Sequence, residues 1–193
     1  MEMDTEKYYP WGGEFTVCTL QGCIAVVLLN IDYTPPPSVA IYGHLKTENI
    51  GIEKIIANVI SNPHIRFLLI CGEDIRGHQS GSSLVALHTY GIDENHRIKQ
   101  ARGAIPYIEN LTKDAIERFQ KQITLINLIG ETDPNIINHE IEKCIKQAPA
   151  PFGKPYIALQ MKPQVTNNLT DKRALHAKIT LNYLGRIKKR GES

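Results

Sequence analysis

Phe67-Leu68-Leu69-Ile70-Cys71, followed across Gly72 by Glu73-Asp74-Ile75-Arg76-Gly77-His78-Gln79-Ser80-Gly81, is the stretch on which the fold turns. Five consecutive apolar residues, too few for a buried helix, read as a strand covered on both faces. The glycine-flanked polar segment reads as a sharp turn. Ser82 to Tyr90 then takes a helical pattern that Gly91 can cap. Strand, glycine loop and helix in that order belong to a parallel α/β unit, and such sheets bind ligands beyond the carboxyl ends of their strands. His78 stands there between Gly77 and Gly81, whose missing side chains let a ligand approach the backbone closely.

The alternation extends in both directions. Ile24 to Leu29 is a second continuous apolar run, and Val39 to Tyr42 a shorter strand after the loop Thr34-Pro35-Pro36-Pro37-Ser38. Ile52, Ile55, Ile56, Val59 and Ile60 make one apolar helix face, with Asn49 as its N-cap and Asn62-Pro63 as its end. Residues 92 to 111 are irregular. Thr112 to Gln122 is amphipathic, Ile123 to Ile129 reads as a strand, and Asp133-Pro134 starts a helix that runs to about Gln147. The expectation is an α/β fold: a Rossmann-like three-layer sandwich with a mostly parallel central sheet. Its domain is expected over residues 1–148. A C-terminal extension follows over 149–193, opening on a Pro149 to Pro155 linker, with an edge strand at Tyr156 to Met161 and a basic helix at Thr170 to Lys189.

Composition narrows the class. The chain has 193 residues, 42% of them hydrophobic, and no run of 18 apolar residues, so no membrane span is expected. The acidic, polar start is no signal peptide. The four cysteines form no CxxC pair; they are expected reduced, in a cytoplasm, with Cys71 a buried thiol. Up to residue 170, fifteen Lys and Arg stand against eighteen Asp and Glu; after it, seven stand against two. A solvated helix face accounts for that basic tail more simply than a nucleic-acid contact does.

Three segments could carry chemistry. In the first, His78 offers a neutral imidazole suited to cobalt or another borderline metal. Its second ring nitrogen needs a partner, and Glu73 or Asp74 is the nearest carboxylate in sequence. Gly77 and Gly81 leave room for a large flat cofactor, and Ser80 and Ser82 offer donors where a helix begins. A polar loop whose histidine bonds only to backbone is the plainer account. In the second, Lys46-Thr47-Glu48-Asn49-Ile50-Gly51, four polar residues precede an apolar helix, which suits an anion or ordinary capping alike. In the third, Gly103-Ala104-Ile105-Pro106-Tyr107-Ile108-Glu109-Asn110, small residues beside a proline make a rigid wall for a cofactor or for plain packing. HExxH, GxSxG and P-loop patterns are absent from the sequence.

Taken together, Lys46 to Lys54, Ser61-Asn62-Pro63 with Ile65-Arg66-Phe67, Gly77-His78 with Ser80-Gly81, and Gly103 to Leu111 resemble the A subunit of tetrahydromethanopterin S-methyltransferase, a corrinoid protein of archaeal methanogenesis. The resemblance spans roughly residues 14 to 147 and implies a cobalamin-type corrinoid. It implies cofactor contacts from Thr47, Glu48, Asn49, Gly51, Gly77, His78, Ser80, Gly81, Ser82, Gly103, Ala104, Ile105 and Pro106, with His78 as the cobalt ligand. It further implies a methyl group carried on cobalt from a methylated pterin-type donor to a thiol or other acceptor, the partner being a separate methyltransferase subunit. Arg76 stands where many cobalamin proteins have the aspartate of Asp-x-His-x-x-Gly, so any supporting carboxylate must come from elsewhere. The family's membrane-bound form ends in a transmembrane helix. The polar stretch Leu181 to Ser193 differs from it and implies a soluble paralogue. The competing expectation is a corrinoid-storage or regulatory module that keeps only the fold.

Overall fold

The computed structural model describes residues 8–158 and, beyond them, Ile179–Leu181 and Ile187–Lys189. Residues 8–158 form β1 (Phe15–Val17), β2 (Ile24–Leu28), β3 (Ile41–His44), α1 (Ile50–Ser61), β4 (Phe67–Gly72), α2 (Ser80–Tyr90), α3 (Lys113–Gln122), β5 (Thr124–Ile129) and α4 (Pro134–Lys146). The strands make one mixed sheet in the order β1-β3-β2-β4-β5. Every neighbouring pair is parallel except β1 with β3. The fold is therefore α/β with a mostly parallel sheet. Strand β1 is an addition that the sequence reading lacks.

The two apolar runs lie at the centre, where a strand must be apolar on both faces. Every residue of β2 and of β4 is buried. Alternate side chains serve two cores. Ala25, Val27, Leu68 and Ile70 pack with Ile52, Ile56 and Ile60 of α1, Leu84 and Leu87 of α2 and Phe119 of α3. Ile24, Val26, Leu28, Phe67, Leu69 and Cys71 pack with Ile137, Ile141 and Cys144 of α4.

Caps fix the helix starts. Asn49 accepts from the Ile50 N–H at 2.8 Å, Thr112 from the Ala115 N–H at 3.2 Å and Asp133 from the Asn135 N–H at 2.8 Å. Each satisfies a donor that a helix terminus otherwise leaves orphaned. Gly91 takes φ +67° and closes α2 through its N–H to Leu87.

All four cysteines are free thiols. Burial pushes Cys71 up to about 12 and Cys144 up to about 11, from an ordinary 9.0. Both folded values are raised, so their contribution to stability is full below pH 9 and is lost as pH climbs toward 11 and 12. At pH 8 only about one Cys144 in a thousand is thiolate. Labelling of the native protein at pH 8, followed by intact mass, should modify the half-buried Cys18 and Cys23 first. Cys71 and Cys144 should follow only on unfolding, and fast addition of four labels would contradict this.

The segment expected as a linker at Pro149 to Pro155 is fastened to the body instead. Arg118 Nη2 donates to the carbonyls of Phe152 at 2.6 Å and Lys154 at 2.8 Å, while its guanidinium carbon lies 4.7 Å from the Phe152 ring centre. Arg66 donates to the Ala150 carbonyl at 2.6 Å, and its guanidinium carbon lies 5.2 Å from the same ring centre. Phe152 and Tyr156 donate their N–H groups to Pro63 and Ile60. Arg118→Ala removes two charge-assisted hydrogen bonds and a cation–π contact. Amide exchange at Phe152 and Tyr156 should then accelerate at least about tenfold. Unchanged protection by NMR exchange would disprove the clamp.

The edge strand expected at Tyr156 to Met161 is not formed by Tyr156, Ile157 or Ala158, and its remainder lies outside the described residues. The terminal helix expected over Thr170 to Lys189 is corrected where the chain is described. Strand β6 (Ile179–Leu181) pairs antiparallel with β7 (Ile187–Lys189). Ile, Thr and Leu pairing there fit an extended backbone better than a helix. Among the described residues no helix is long and apolar enough to cross a membrane.

Candidate functional site

The loops leaving the carboxyl ends of β3 and β4 approach each other above the sheet. In the first, Thr47 Oγ1 accepts from the Gly51 N–H at 2.9 Å and Asn49 caps α1. With capping done by those two, the Glu48 side chain is free to turn inward, and it is only 3% exposed. In the second, Gly77 at φ +94° and Gln79 at φ 45° reverse the chain around His78. Such angles suit glycine and strain Gln79, as is common where a loop must present a side chain.

His78 and Glu48 meet. The imidazole Nδ1 lies 3.0 Å from Glu48 Oε2, and the His78 side chain remains 64% exposed. A carboxylate only accepts, so Nδ1–H donates, and in the neutral imidazole the lone pair is on Nε2. The other carboxylate oxygen, Glu48 Oε1, accepts from the Ile105 N–H at 2.9 Å. One buried carboxylate therefore joins all three segments singled out in the sequence. Gly103 fits tightly between them: a Cβ there would lie 2.5 Å from the His78 carbonyl oxygen and 3.3 Å from Glu48 Cδ. A second carboxylate, Glu53, holds the same loop farther along. It accepts from the Asn110 N–H and Nδ2, each at 2.7 Å.

The expected support of His78 by Glu73 or Asp74 is corrected. Asp74 accepts from the Gly81 N–H at 3.1 Å, the Ser82 N–H at 2.8 Å and Ser82 Oγ at 2.7 Å. It thus closes the first turn of α2, where a negative charge is favoured. Glu73 is exposed and bridges to Asn30 through its backbone. The donors of Gly81 and Ser82 are thereby engaged within the protein, and Ser80 is buried. Ala104 is exposed and Pro106 buried.

One apolar side chain in each of the three segments faces water: Ile50, Ile75 and Ile105 are 47%, 52% and 58% exposed. Ile50 and Ile105 border a depression of about 160 Å³ that also takes in Tyr107 and Glu109. The surface around the imidazole is open rather than enclosed. The site can present one imidazole nitrogen of His78, with the other held by Glu48.

Residues 3–168 match the profile of a family described as the A subunit of tetrahydromethanopterin S-methyltransferase. The A subunit of Mtx from Methanosarcina acetivorans, provisionally named a methyltransferase, is 46% identical over 142 residues, 74% of this chain and 72% of that protein. Form 1 of the tetrahydromethanopterin S-methyltransferase A subunit from Methanobrevibacter ruminantium is 41% identical over 154 residues, 78% of this chain and 63% of its own. Form 2 of the same subunit from Methanothermobacter marburgensis is 39% identical over 163 residues, 82% of this chain and 88% of its own.

Proposed function

Because the chain belongs to the family of the A subunit of tetrahydromethanopterin S-methyltransferase, we propose that it is a corrinoid-binding methyl carrier serving a separate methyltransferase subunit. The observation that carries this reading is the exposed His78 imidazole, held through Nδ1 by the buried Glu48, which leaves Nε2 as the ring nitrogen free for a metal. Metal-binding histidines characteristically donate their other ring N–H to a carboxylate, which sets tautomer and ring orientation. The donor set fits cobalt, which takes imidazole nitrogen.

The surroundings fit a large flat cofactor. A Cβ at Gly77 would meet nothing within 4 Å, so the surface beside His78 is open. Ile50, Ile75 and Ile105 would lose water on contact with a corrin face. A bound corrinoid would supply a cobalt centre able to accept and release a methyl group. The protein's own share would be binding and orientation: His78 would ligate the cobalt, Glu48 would support that imidazole, and the loop 103–110 would form a wall. By the same reading the donor is a methylated pterin-type compound and the acceptor a thiol or another methyl acceptor. Helices on both faces of the sheet support a Rossmann-like three-layer sandwich beneath the site.

The test is a visible absorption spectrum after incubation with hydroxocobalamin and gel filtration, on wild type and His78→Ala. A stoichiometric corrinoid spectrum that shifts or disappears in the variant supports the reading. Retention with an identical spectrum in both proteins would remove His78 as ligand. No retention in wild type would leave the chain with the family's fold and without its cofactor.

A further inference from the structure

A cavity of about 110 Å³ lies on the other flank of the segment that carries Glu48. Its walls come from α1 (Gly51, Ile55, Val59) and from the inner strands (Ala25, Val27, Ile41). These side chains are apolar, Asn58 being a polar member of the same lining, and Phe15 of β1 lines the cavity whereas His78 does not. The proposed corrinoid site does not use it. Native interiors are close-packed, so a void of this size beside an open mouth is unusual in a small domain.

The mouth is charged. Glu14, His44 and Lys54 line it. Glu14 is paired with Lys46, which chiefly holds the Glu14 carboxyl below the usual range, with smaller contributions from His44 and Lys54 at the same mouth. His44 Nδ1 lies 3.1 Å from the Leu29 carbonyl oxygen and so acts as donor. Among the described residues Lys54 has no carboxylate within 4 Å. Its stem runs past Gly13, whose notional Cβ would lie 3.8 Å from Lys54 Cδ. Nothing larger than glycine stands at that point of the rim.

The geometry points to a second binding site here, for a small anion bearing a compact, branched apolar group: the apolar group fills the cavity and Lys54 meets the charge. Volume sets the size of that group. Dry apolar cavities of about 150 Å³ hold benzene, so about 110 Å³ takes a group of four or five carbons. Charge sets the sign, since Lys54 is the cation of the mouth that no described carboxylate pairs. Neither argument depends on a corrinoid at His78.

The test is an NMR titration of the full chain with two probes of one shape, 3-methylbutanoate and the neutral 3-methylbutanamide. Amide shifts should concentrate at Gly43, Gly51 and Ile55. The carboxylate should bind roughly fivefold more tightly than the amide, the worth of one partly exposed ion pair. Lys54→Met should bring that ratio near one while both probes still bind. Ala25→Leu should abolish both titrations by filling the cavity, with Ala25→Val as the milder substitute if the leucine variant loses its dispersed spectrum. Absence of shifts at millimolar probe would overturn the proposal. So would equal shifts in the filled variant, or a preference for carboxylate that survives Lys54→Met.

Discussion

Glu48→Gln should leave the protein folded and lower its corrinoid affinity by about ten- to a hundredfold, the range seen when the partner of a metal-binding histidine is changed. The carboxylate accepts two hydrogen bonds, from His78 Nδ1–H at 3.0 Å and from the Ile105 N–H at 2.9 Å. An amide of the same shape has one oxygen and one NH2, so it can accept on one side only. If the oxygen keeps Ile105, the NH2 faces Nδ1. The imidazole then moves its proton to Nε2, which loses the lone pair that the proposed cobalt ligation needs. If the oxygen keeps His78, the NH2 faces the Ile105 N–H and the loop 103–110 is pushed away. Either arrangement harms the site without emptying it. Nitrogen NMR of His78 in the cofactor-free protein distinguishes the two, and the absorption assay measures the affinity. Glu48→Ala removes both acceptors. It should also cost about 1–3 kcal/mol of stability if the loop's N–H is left without a partner. Wild-type affinity in Glu48→Gln would mean that the imidazole's tautomer is set by something else.

Much of this architecture is legible in the order of residues. Runs such as Ile24 to Leu29 and Phe67 to Cys71 are short enough to read as strands buried on both faces, and Asn49, Asp133 and Gly91 cap helices because of what their side chains or their lack of one permit. Strand β1 is not legible, because three residues with a half-exposed pattern between glycines and a turn carry no periodicity to detect. The fastening of residues 150–156 is not legible because its agents, Arg66 and Arg118, lie 84 and 36 residues from carbonyls they bond. The role of Glu48 is hidden for the same reason: it is 30 residues from His78, whereas Asp74 is four away and is the nearer candidate along the chain. Local sequence holds one usable signal. Two capping side chains, Thr47 and Asn49, flank Glu48, and a helix start that already has its caps leaves the third polar side chain free for another purpose.

Gly103→Ala should be more damaging than any other single methyl added at the site. A Cβ there would stand 2.5 Å from the His78 carbonyl oxygen, 3.1 Å from Ser83 Oγ and 3.3 Å from Glu48 Cδ. The first is backbone, held by the reversed turn at Gly77 and Gln79, and cannot swing aside as a side chain would. Ser83 is fully buried, and its hydroxyl is the one buried side-chain polar atom without a hydrogen-bond partner among the described residues, so it can turn aside at no loss and the backbone contact decides the outcome. The loop must therefore retreat, which lengthens the Ile105 to Glu48 hydrogen bond and frees the imidazole it steadies. Overpacking of this kind costs about 1–3 kcal/mol. Corrinoid retention should fall at least about tenfold, since the support of His78 is disturbed with it. Gly81→Ala is the control. Its Cβ would meet Leu29 Cδ1 at 2.6 Å, Leu29 Cδ2 at 3.1 Å and Ile129 Cδ1 at 3.3 Å, all side-chain ends rather than backbone, so the site should lose less cofactor than in Gly103→Ala. Chemical denaturation and the absorption assay on both variants separate the cases. Equal retention in Gly103→Ala and Gly81→Ala would show that the loop 103–110 is not part of what holds His78 in place.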